Sequence, residues 1–105
     1  MPNLKPNATL HDFQQYVAEL EVERGFSDQN AQNKCLLMGE EVGELFKAVR
    51  KAEGIAVDPR SKIADIGDEL ADIFIYLCAI ANRYDIDLAE AFDAKEKINK
   101  TRTWR

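Results

Sequence analysis

Residues 39–44 read Gly-Glu-Glu-Val-Gly-Glu, and residues 68–72 read Asp-Glu-Leu-Ala-Asp. Both runs lie inside segments whose apolar residues recur at helical spacing, so their acidic side chains belong to helices. Two carboxylates in each run stand three residues apart and therefore share one helical face. These pairs are Glu41 with Glu44 and Glu69 with Asp72. If the two helices pack antiparallel, the four carboxylates converge on one point.

Helical phase places the first pair at the edge of the core. At about 100° per residue, Leu37 and Leu45 fall within about 40° of Glu41, so Glu41 lies in the apolar stripe of its helix. Glu44 lies about 60° from Glu41, and Glu40 lies about 100° to one side. We therefore expect Glu41 and Glu44 to belong to a site, whereas an ordinary solvated position remains the alternative for Glu40.

The second pair lies beside a core stripe. Asp65, Glu69, Asp72 and Tyr76 follow one another along a flank of the apolar face that occupies residues 63–81. Tyr76 adds an aromatic ring with a polar tip to this acidic seam. An ordinary surface position is the alternative for Asp65.

Carboxylates gathered in this way need a counter-charge, because an ionised carboxylate taken out of water must be paired, protonated or bound to a metal. Oxygen-only sites suit Mg²⁺, Mn²⁺ or Ca²⁺, whereas zinc and di-iron sites normally recruit histidine. The chain has one histidine, His11, and lacks the Glu-x-x-His pair of di-iron bundles. Since Mg²⁺ usually also binds substrate phosphates, we expect a phosphorylated substrate.

Composition and charge narrow the class of protein. With 46% apolar and 31% charged residues in 105 positions, the chain is expected to form a single globular domain over residues 1–105. The net charge of −5 argues against nucleic acid as a partner. The longest apolar run, 73–81, is about half a membrane span, and the N-terminus lacks the apolar stretch of a secretory signal. We expect no membrane segment and a cytoplasmic location.

Capping signals predict four helices joined by short loops, which is an all-α four-helix bundle. A lead-in at 1–8 and a tail at 101–105 flank them. The first predicted helix runs from the cap Thr9 to Gly25, and the second runs from Asp28 or Gln29 to Glu53, before Gly54. The third runs from Pro59, after its cap Asp58, to about Tyr84. The fourth runs from the cap Asp87, with Glu90 as capping-box partner, to about Lys100.

One face of the fourth helix changes from apolar to cationic and amide side chains along its length. Its core-facing stripe begins with Leu88 and Phe92 and continues as Lys95, Asn99 and Arg102. Cationic and amide groups are poor core residues but good phosphate ligands, so we expect them opposite the acidic seam. The alternative is a fraying C-terminal helix whose basic residues compensate the helix dipole.

The third helix indicates an oligomer. Residues 73–81 are apolar around nearly the whole helix circumference, which exceeds what one side of a small bundle can cover. Because most soluble oligomers are symmetric homo-oligomers, we expect a homodimer or a homotetramer built as a dimer of dimers. The active site can then draw residues from two subunits.

Three motifs together resemble those of a known enzyme family. They are Glu40-Glu41-x-x-Glu44, Glu69-x-x-Asp72 and the C-terminal Lys95-x-x-x-Asn99-x-x-Arg102-x-Trp104. This pattern resembles the MazG-like nucleoside triphosphate pyrophosphohydrolases of the all-α NTP pyrophosphatase superfamily, over roughly residues 10–104.

The resemblance implies hydrolysis of an NTP or dNTP to its monophosphate and diphosphate. It implies Mg²⁺, with Mn²⁺ as a substitute, held by the matching residues Glu41, Glu44, Glu69 and Asp72. A carboxylate beside the metal can accept the proton of the attacking water, and resemblance to the related dUTPases favours Glu44 slightly over Glu40.

The resemblance also favours a deoxynucleotide such as dCTP and a housecleaning role in the nucleotide pool. The residues expected to contact substrate are Lys95, Asn99, Arg102, Tyr76, Trp104 and Phe13; Tyr16 and Phe26 are further candidates for stacking a base, although such aromatics more often belong to the core. Two other functions stay open: phosphoribosyl-ATP pyrophosphohydrolase, and a non-enzymatic acidic helical bundle that binds metal or protein.

Overall fold

A computed structural model of the chain describes residues 2–55, 58–60, 63 and 65–102. Within these residues it contains α-helices and no β-strand, which confirms the predicted all-α class. The helices are α1 (Leu10–Arg24), α2 (Ala31–Ala52), α3 (Ile66–Arg83) and α4 (Leu88–Asn99). In the part of the chain that is described, none of them is long and apolar enough to cross a membrane.

Both ends of α1 lie where the capping signals predict them. The Thr9 side chain accepts a hydrogen bond from the backbone N–H of Asp12, and the Asp12 side chain accepts one from the backbone N–H of Thr9. This capping box satisfies amide groups that have no partner inside the helix. Gly25 ends the helix in the left-handed conformation, at φ 77°, which glycine adopts without strain.

The start of α2 differs from the prediction by two or three residues. Asn30 is the N-cap, because Asn30 and Asn33 exchange hydrogen bonds between side chain and backbone. This reciprocal pair fixes the helix start after Asp28 and Gln29, which stay in the loop. The helix ends at Ala52, one residue before the predicted end at Glu53, and Gly54 follows at a left-handed φ of 74°.

The predicted start of α3 at Pro59 is wrong. The Asp58 carboxylate accepts hydrogen bonds from the backbone N–H of Arg60, at 2.9 Å, and from its guanidinium, so it forms a local turn instead of a helix cap. The helix begins at Ile66 with Asp65 as N-cap. Residues 61, 62 and 64 of the predicted helix lie outside the described residues.

The fourth helix begins as predicted. The Asp87 side chain accepts a hydrogen bond from the backbone N–H of Glu90, which is one half of the predicted capping box. The helix ends at Asn99, one residue before the expected end.

The core is small and is centred on α3. This helix packs against α2 and α1, while α4 packs against α1. Val17, Leu20, Cys78 and Ala79 form the buried cluster between α1 and α3. Such packing presents one face of α3 to α2, where the acidic runs lie.

A single chain leaves much apolar surface uncovered. Its radius of gyration is 16.4 Å, whereas a compact chain of this length has about 13 Å. Phe46 on α2 is 63% exposed and Phe92 on α4 is 68% exposed, and Leu36, Leu70 and Ile98 are also exposed. Apolar patches of this kind mark surfaces that another molecule covers.

Candidate active site

Three carboxylates converge between α2 and α3. Glu41 on α2 and Glu69 and Asp72 on α3 each contribute one oxygen, and these oxygens lie within 4.8 Å of one another. Glu69 is buried, Glu41 is half-buried and Asp72 is exposed. We call these residues the acidic trio. Three of the four carboxylates that helical spacing predicts to converge are therefore together.

The trio concentrates negative charge in a small, partly buried volume. Glu69 Oε2 is buried and has no hydrogen-bond partner among the described residues. A hydrogen bond to Glu69, then burial and the charges of Glu69, Asp72 and Glu44, raise the pKa of Glu41 to about 7. An all-oxygen donor set with an unpartnered buried oxygen suits a hard divalent cation.

Glu44 and Glu40 border the trio without joining it. Glu44 Oε1 lies 3.4 Å from the Lys47 ammonium, and the Glu44 charge is among those that raise the pKa of Glu41. Glu40 is exposed, as expected, and its charge contributes to a raised pKa of Tyr76, after burial and the charges of Glu41 and Asp72. Both glutamates are therefore close enough to act electrostatically on this site.

A cavity of about 340 Å³ lies directly beside Asp72. Residues of α1, the α1–α2 loop, α2 and α3 line it, including the rings of Phe26 and Tyr76, and Gln29 lines it from the loop. We call it the aromatic cavity. Because Asp72 belongs both to the trio and to the cavity wall, one ligand can occupy the cavity and reach the carboxylates.

Glu21 and Lys34, which line the aromatic cavity, belong to an ionic network with Arg83. Arg83 Nη1 and Nη2 donate to the two oxygens of Glu21 at 2.9 and 2.7 Å, and Lys34 Nζ lies 3.2 Å from Glu21 Oε2. Burial by itself would raise the pKa of Glu21, but the hydrogen bonds from Arg83 and Lys34 outweigh it and lower the pKa. Arg83 also donates to the backbone carbonyls of Gln29 and Phe26, which holds the loop that lines the cavity.

This network is absent from the predicted site, although the sequence carries one signal for it. Lys34 stands seven residues before Glu41, so its helical phase differs by only about 20°. A lysine in the apolar stripe of α2 is as unusual as the glutamate that we singled out. The pairing of Glu21 with Arg83 spans 62 residues and has no local sequence signature.

The remaining predicted site residues are placed in different parts of the structure. Tyr76 lines the aromatic cavity. Phe13 instead packs edge to face against Phe74 in the core, with ring centroids 5.4 Å apart. Trp104 lies outside the described residues.

The expected phosphate ligands on α4 do not line the aromatic cavity of the same chain. Lys95 is exposed, and Asn99 donates a hydrogen bond to Glu96 at 2.7 Å. Asn99 and Arg102 line a separate hollow with Glu96 and Lys100. The lining of the aromatic cavity, by contrast, contains no described residue of α4. Within one chain, the stripe and the aromatic cavity therefore lie in separate parts of the structure.

Comparison with known proteins adds independent information. Residues 29–104 match the family model of the MazG nucleotide pyrophosphohydrolase domain. The chain is 34% identical to dCTP pyrophosphatase 1 of Mus musculus over 102 residues, which cover 92% of the chain and 60% of that relative. The Homo sapiens protein of the same name is 34% identical over 106 residues, which cover 95% of the chain and 62% of the relative.

A solved structure is also similar. The crystal structure of iMazG from Vibrio DAT 722 superposes with a TM-score of 0.68 at 26% identity, covering 92% of this chain and 99% of that one. The chain thus spans nearly all of iMazG but only about 60% of the length of the dCTP pyrophosphatase relatives. The chain therefore belongs to the MazG nucleotide pyrophosphohydrolase domain family.

Proposed function

We propose that this chain is a Mg²⁺-dependent pyrophosphohydrolase that converts a deoxynucleoside triphosphate, preferably dCTP, to its monophosphate and diphosphate. The observation that carries the proposal is the direct contact between the acidic trio and the aromatic cavity, made through Asp72. Membership of the family and the similarity to dCTP pyrophosphatase 1 support both the reaction and the base. We also propose a housecleaning role in the nucleotide pool and a cytoplasmic location.

The proposed metal ligands are Glu41, Glu69 and Asp72, with Glu44 as a fourth. The unpartnered Oε2 of Glu69 and the raised pKa of Glu41 both support a cation between the trio oxygens. Mg²⁺, for which Mn²⁺ can substitute, would supply neutralisation of the phosphate charge and acidification of the attacking water. The carboxylates themselves orient the ion and leave space for phosphate oxygens.

Proton transfer is assigned to a glutamate that borders the trio. The reaction adds water across the anhydride between the α- and β-phosphates, so one proton must leave the attacking oxygen. Glu44 is half-buried and sits beside the trio, and its carboxylate lies 3.4 Å from the Lys47 ammonium. We propose Glu44 as the base and keep the exposed Glu40 as the alternative.

The base of the nucleotide is proposed to occupy the aromatic cavity. Its volume of about 340 Å³ accommodates a nucleoside, and Phe26 and Tyr76 offer ring faces for stacking. With the base in this cavity, the phosphates extend past Asp72 toward the trio. Phe13 is left out of this proposal because its ring packs against Phe74.

A second copy of the chain is proposed to supply the cationic groups. Lys95, Asn99 and Arg102 do not line the cavity of their own chain, while Phe92 on the same helix is 68% exposed. A homodimer, or a homotetramer built from two dimers, would cover these apolar faces and bring α4 of one subunit to the phosphates bound by another. The extended shape of the single chain supports this arrangement.

The decisive experiment is diphosphate release. The purified protein is incubated with Mg²⁺ and each of the NTPs and dNTPs, and with phosphoribosyl-ATP, and diphosphate is quantified against an EDTA control. Release from dNTPs, greatest for dCTP, is expected. Failure to release diphosphate from any compound would overturn the proposed function, and release from phosphoribosyl-ATP alone would replace the substrate.

A further inference from the structure

We propose that Glu21 and Lys34 form an acceptor–donor pair that reads the Watson–Crick edge of the base and selects cytosine. The inference rests on the proposed function, since it assigns the base to the aromatic cavity. It adds two residues that the acidic motifs do not contain, and it gives a structural reason for a preference among bases.

The position of Lys34 is the first observation. Its side chain is only 4% exposed, and its ammonium lies 4.9 Å from the ring centroid of Phe26 and 5.7 Å from that of Tyr76. The same three residues line the aromatic cavity. A base that stacks on either ring therefore meets the ammonium in the same cavity.

Charge balance with Glu21 does not require this lysine. Glu21 already receives two hydrogen bonds from the Arg83 guanidinium, which balance its charge. Lys34 therefore adds one excess positive charge to the network. Burying an ammonium is costly, and an apolar side chain of similar length would fill the same space without that cost. A bound ligand that accepts hydrogen bonds would pair with this excess charge.

The donors and acceptors of the pair match one pyrimidine edge. An ammonium has three N–H donors. The contact of Lys34 with Glu21, at 3.2 Å, uses one of them. A carboxylate offers about four acceptor positions, and three are used by Arg83 and Lys34. Cytosine presents an amino donor beside two acceptors, N3 and O2. The amino group can donate to Glu21, while N3 and O2 accept from Lys34.

The other bases fit this pair less well. In the orientation described for cytosine, thymine and uracil present a carbonyl oxygen to the carboxylate and an N–H to the ammonium, so both contacts are repulsive. Guanine in that orientation likewise presents O6 to the carboxylate and N1–H to the ammonium. Adenine matches at its amino group and N1 but has a C–H where cytosine has O2. Because a polar site rejects a ligand that leaves its charges unpaired, the expected order is cytosine, then adenine, then thymine and guanine.

The first test removes atoms from the substrate and keeps the wild-type protein. Diphosphate release is measured for dCTP, for the analogue without the 4-amino group and for 3-deaza-dCTP, in which a C–H replaces N3. Each deletion should lower kcat/KM about tenfold or more, because each removes a hydrogen bond to a charged group. Turnover of both analogues as fast as dCTP would overturn the proposal, and no variant needs to fold for this result.

The second test removes the ammonium. Lys34→Met keeps the length of the side chain, and Lys5→Met, at an exposed lysine 3.6 Å from Asp12, is the matched control. We expect Lys34→Met to lower the ratio of kcat/KM for dCTP over dTTP about tenfold, and Lys5→Met to leave it unchanged. An equal loss for all four dNTPs in a folded Lys34→Met protein would contradict a role in reading the base.

Binding of products separates this proposal from the proposed function. The affinities of dCMP and dTMP are measured by calorimetry with wild-type protein in EDTA. Tighter binding of dCMP without any hydrolysis of dCTP would retain the base-reading pair and refute the enzyme. Hydrolysis without a preference in product binding or turnover would retain the enzyme and refute the pair.

Discussion

Carboxylate oxygens of Glu41 and Glu69 lie within 4.8 Å of each other, and the interaction with Glu69 is the largest cause of a Glu41 pKa raised to about 7. Two carboxyl groups this close bind a proton more tightly, because ionising both brings like charges together. We therefore expect the metal-free trio to hold a proton up to about pH 7. A divalent cation competes with that proton, because both offset the same negative charge.

Stability of the metal-free protein should depend on this proton. The pKa of Glu41 rises on folding from an ordinary 4.5 to about 7, so the folded chain binds more protons than the unfolded chain between these values. The stabilising contribution is complete below about 4.5 and is lost as the pH rises through about 7. Melting temperatures in EDTA from pH 4.5 to 8.5 should fall more for wild type than for Glu41→Gln. Parallel curves would show that Glu41 does not hold the proton.

Mg²⁺ should stabilise the protein more strongly at high pH. Above about 7 the Glu41 carboxyl is ionised and available to the ion, whereas at lower pH the ion must displace a proton. The increase in melting temperature at saturating Mg²⁺ should therefore be greater at pH 8 than at pH 6. An increase that does not vary with pH, or that persists in Glu41→Gln, would argue against binding at the trio.

Removal of one trio carboxylate should abolish turnover and spare the fold. Glu41→Gln and Asp72→Asn each remove a proposed metal ligand, so kcat/KM for dCTP should fall at least about a hundredfold. Glu41→Gln should not lower the stability of the metal-free protein, because it relieves repulsion within the trio. Turnover is compared with Glu23→Gln, an exposed position on α1, and helicity is followed by circular dichroism. Loss of helicity in both trio variants would make these acids structural.

Helical phase predicted four converging carboxylates, and the structure brings three of them together, Glu41, Glu69 and Asp72. Glu41 was recognisable because it breaks an apolar stripe that nearby residues define. Helical phase places Lys34 in the same apolar stripe, so this buried lysine was predictable on the same ground. Capping residues such as Thr9 and Gly25 were predictable because their hydrogen bonds are local. The start of α3 was not predictable, because the Asp58 side chain can form either a helix cap or a local turn, and it forms the turn.

Two features could not be obtained from local pattern. The ion pair between Glu21 and Arg83 joins residues on different helices, and no periodicity encodes their meeting. The stripe of Lys95, Asn99 and Arg102 was expected beside the acidic seam, yet α4 packs against α1. A helical pattern indicates that one face needs a partner, but it does not indicate whether that partner is in the same chain.

Arg83 should be essential for stability and for the shape of the aromatic cavity. Its guanidinium binds Glu21 and the backbone carbonyls of Phe26, Gln29 and Ala79. Arg83→Met should lower the free energy of unfolding by about 3 to 5 kcal/mol, the usual cost of breaking a buried ion pair. Urea denaturation measures this loss. Arg60→Met, at an exposed arginine paired with Asp58, is the control and should change stability little.

A second variant at position 83 tests whether the planar shape of the arginine side chain matters. Arg83→Lys keeps the charge but cannot reproduce the two parallel hydrogen bonds to Glu21. We expect a stability between those of wild type and Arg83→Met. A lysine variant as stable as wild type would show that charge alone, without the planar fork, accounts for the contribution of Arg83.

Arg102 should act on the phosphates from a neighbouring subunit. Arg102→Ala is expected mainly to raise KM, because the guanidinium is proposed to bind phosphate while the trio stays intact. An unchanged KM would remove Arg102 from the phosphate site.

Light scattering should show an oligomer, and Phe92→Asp, on the exposed face of α4, should weaken it.

Mixing two defective variants distinguishes action within a chain from action between chains. Glu41→Gln lacks the trio but has Arg102, whereas Arg102→Ala has the trio but lacks the guanidinium. If α4 serves the partner, half of the randomly formed dimers are mixed and one of their two sites is complete, so about a quarter of wild-type activity should appear at low dCTP. The mixture is unfolded and refolded together, and each variant treated alone is the control. If Arg102 serves its own chain, mixing gives no gain over the average of the two variants, and the shared site is wrong.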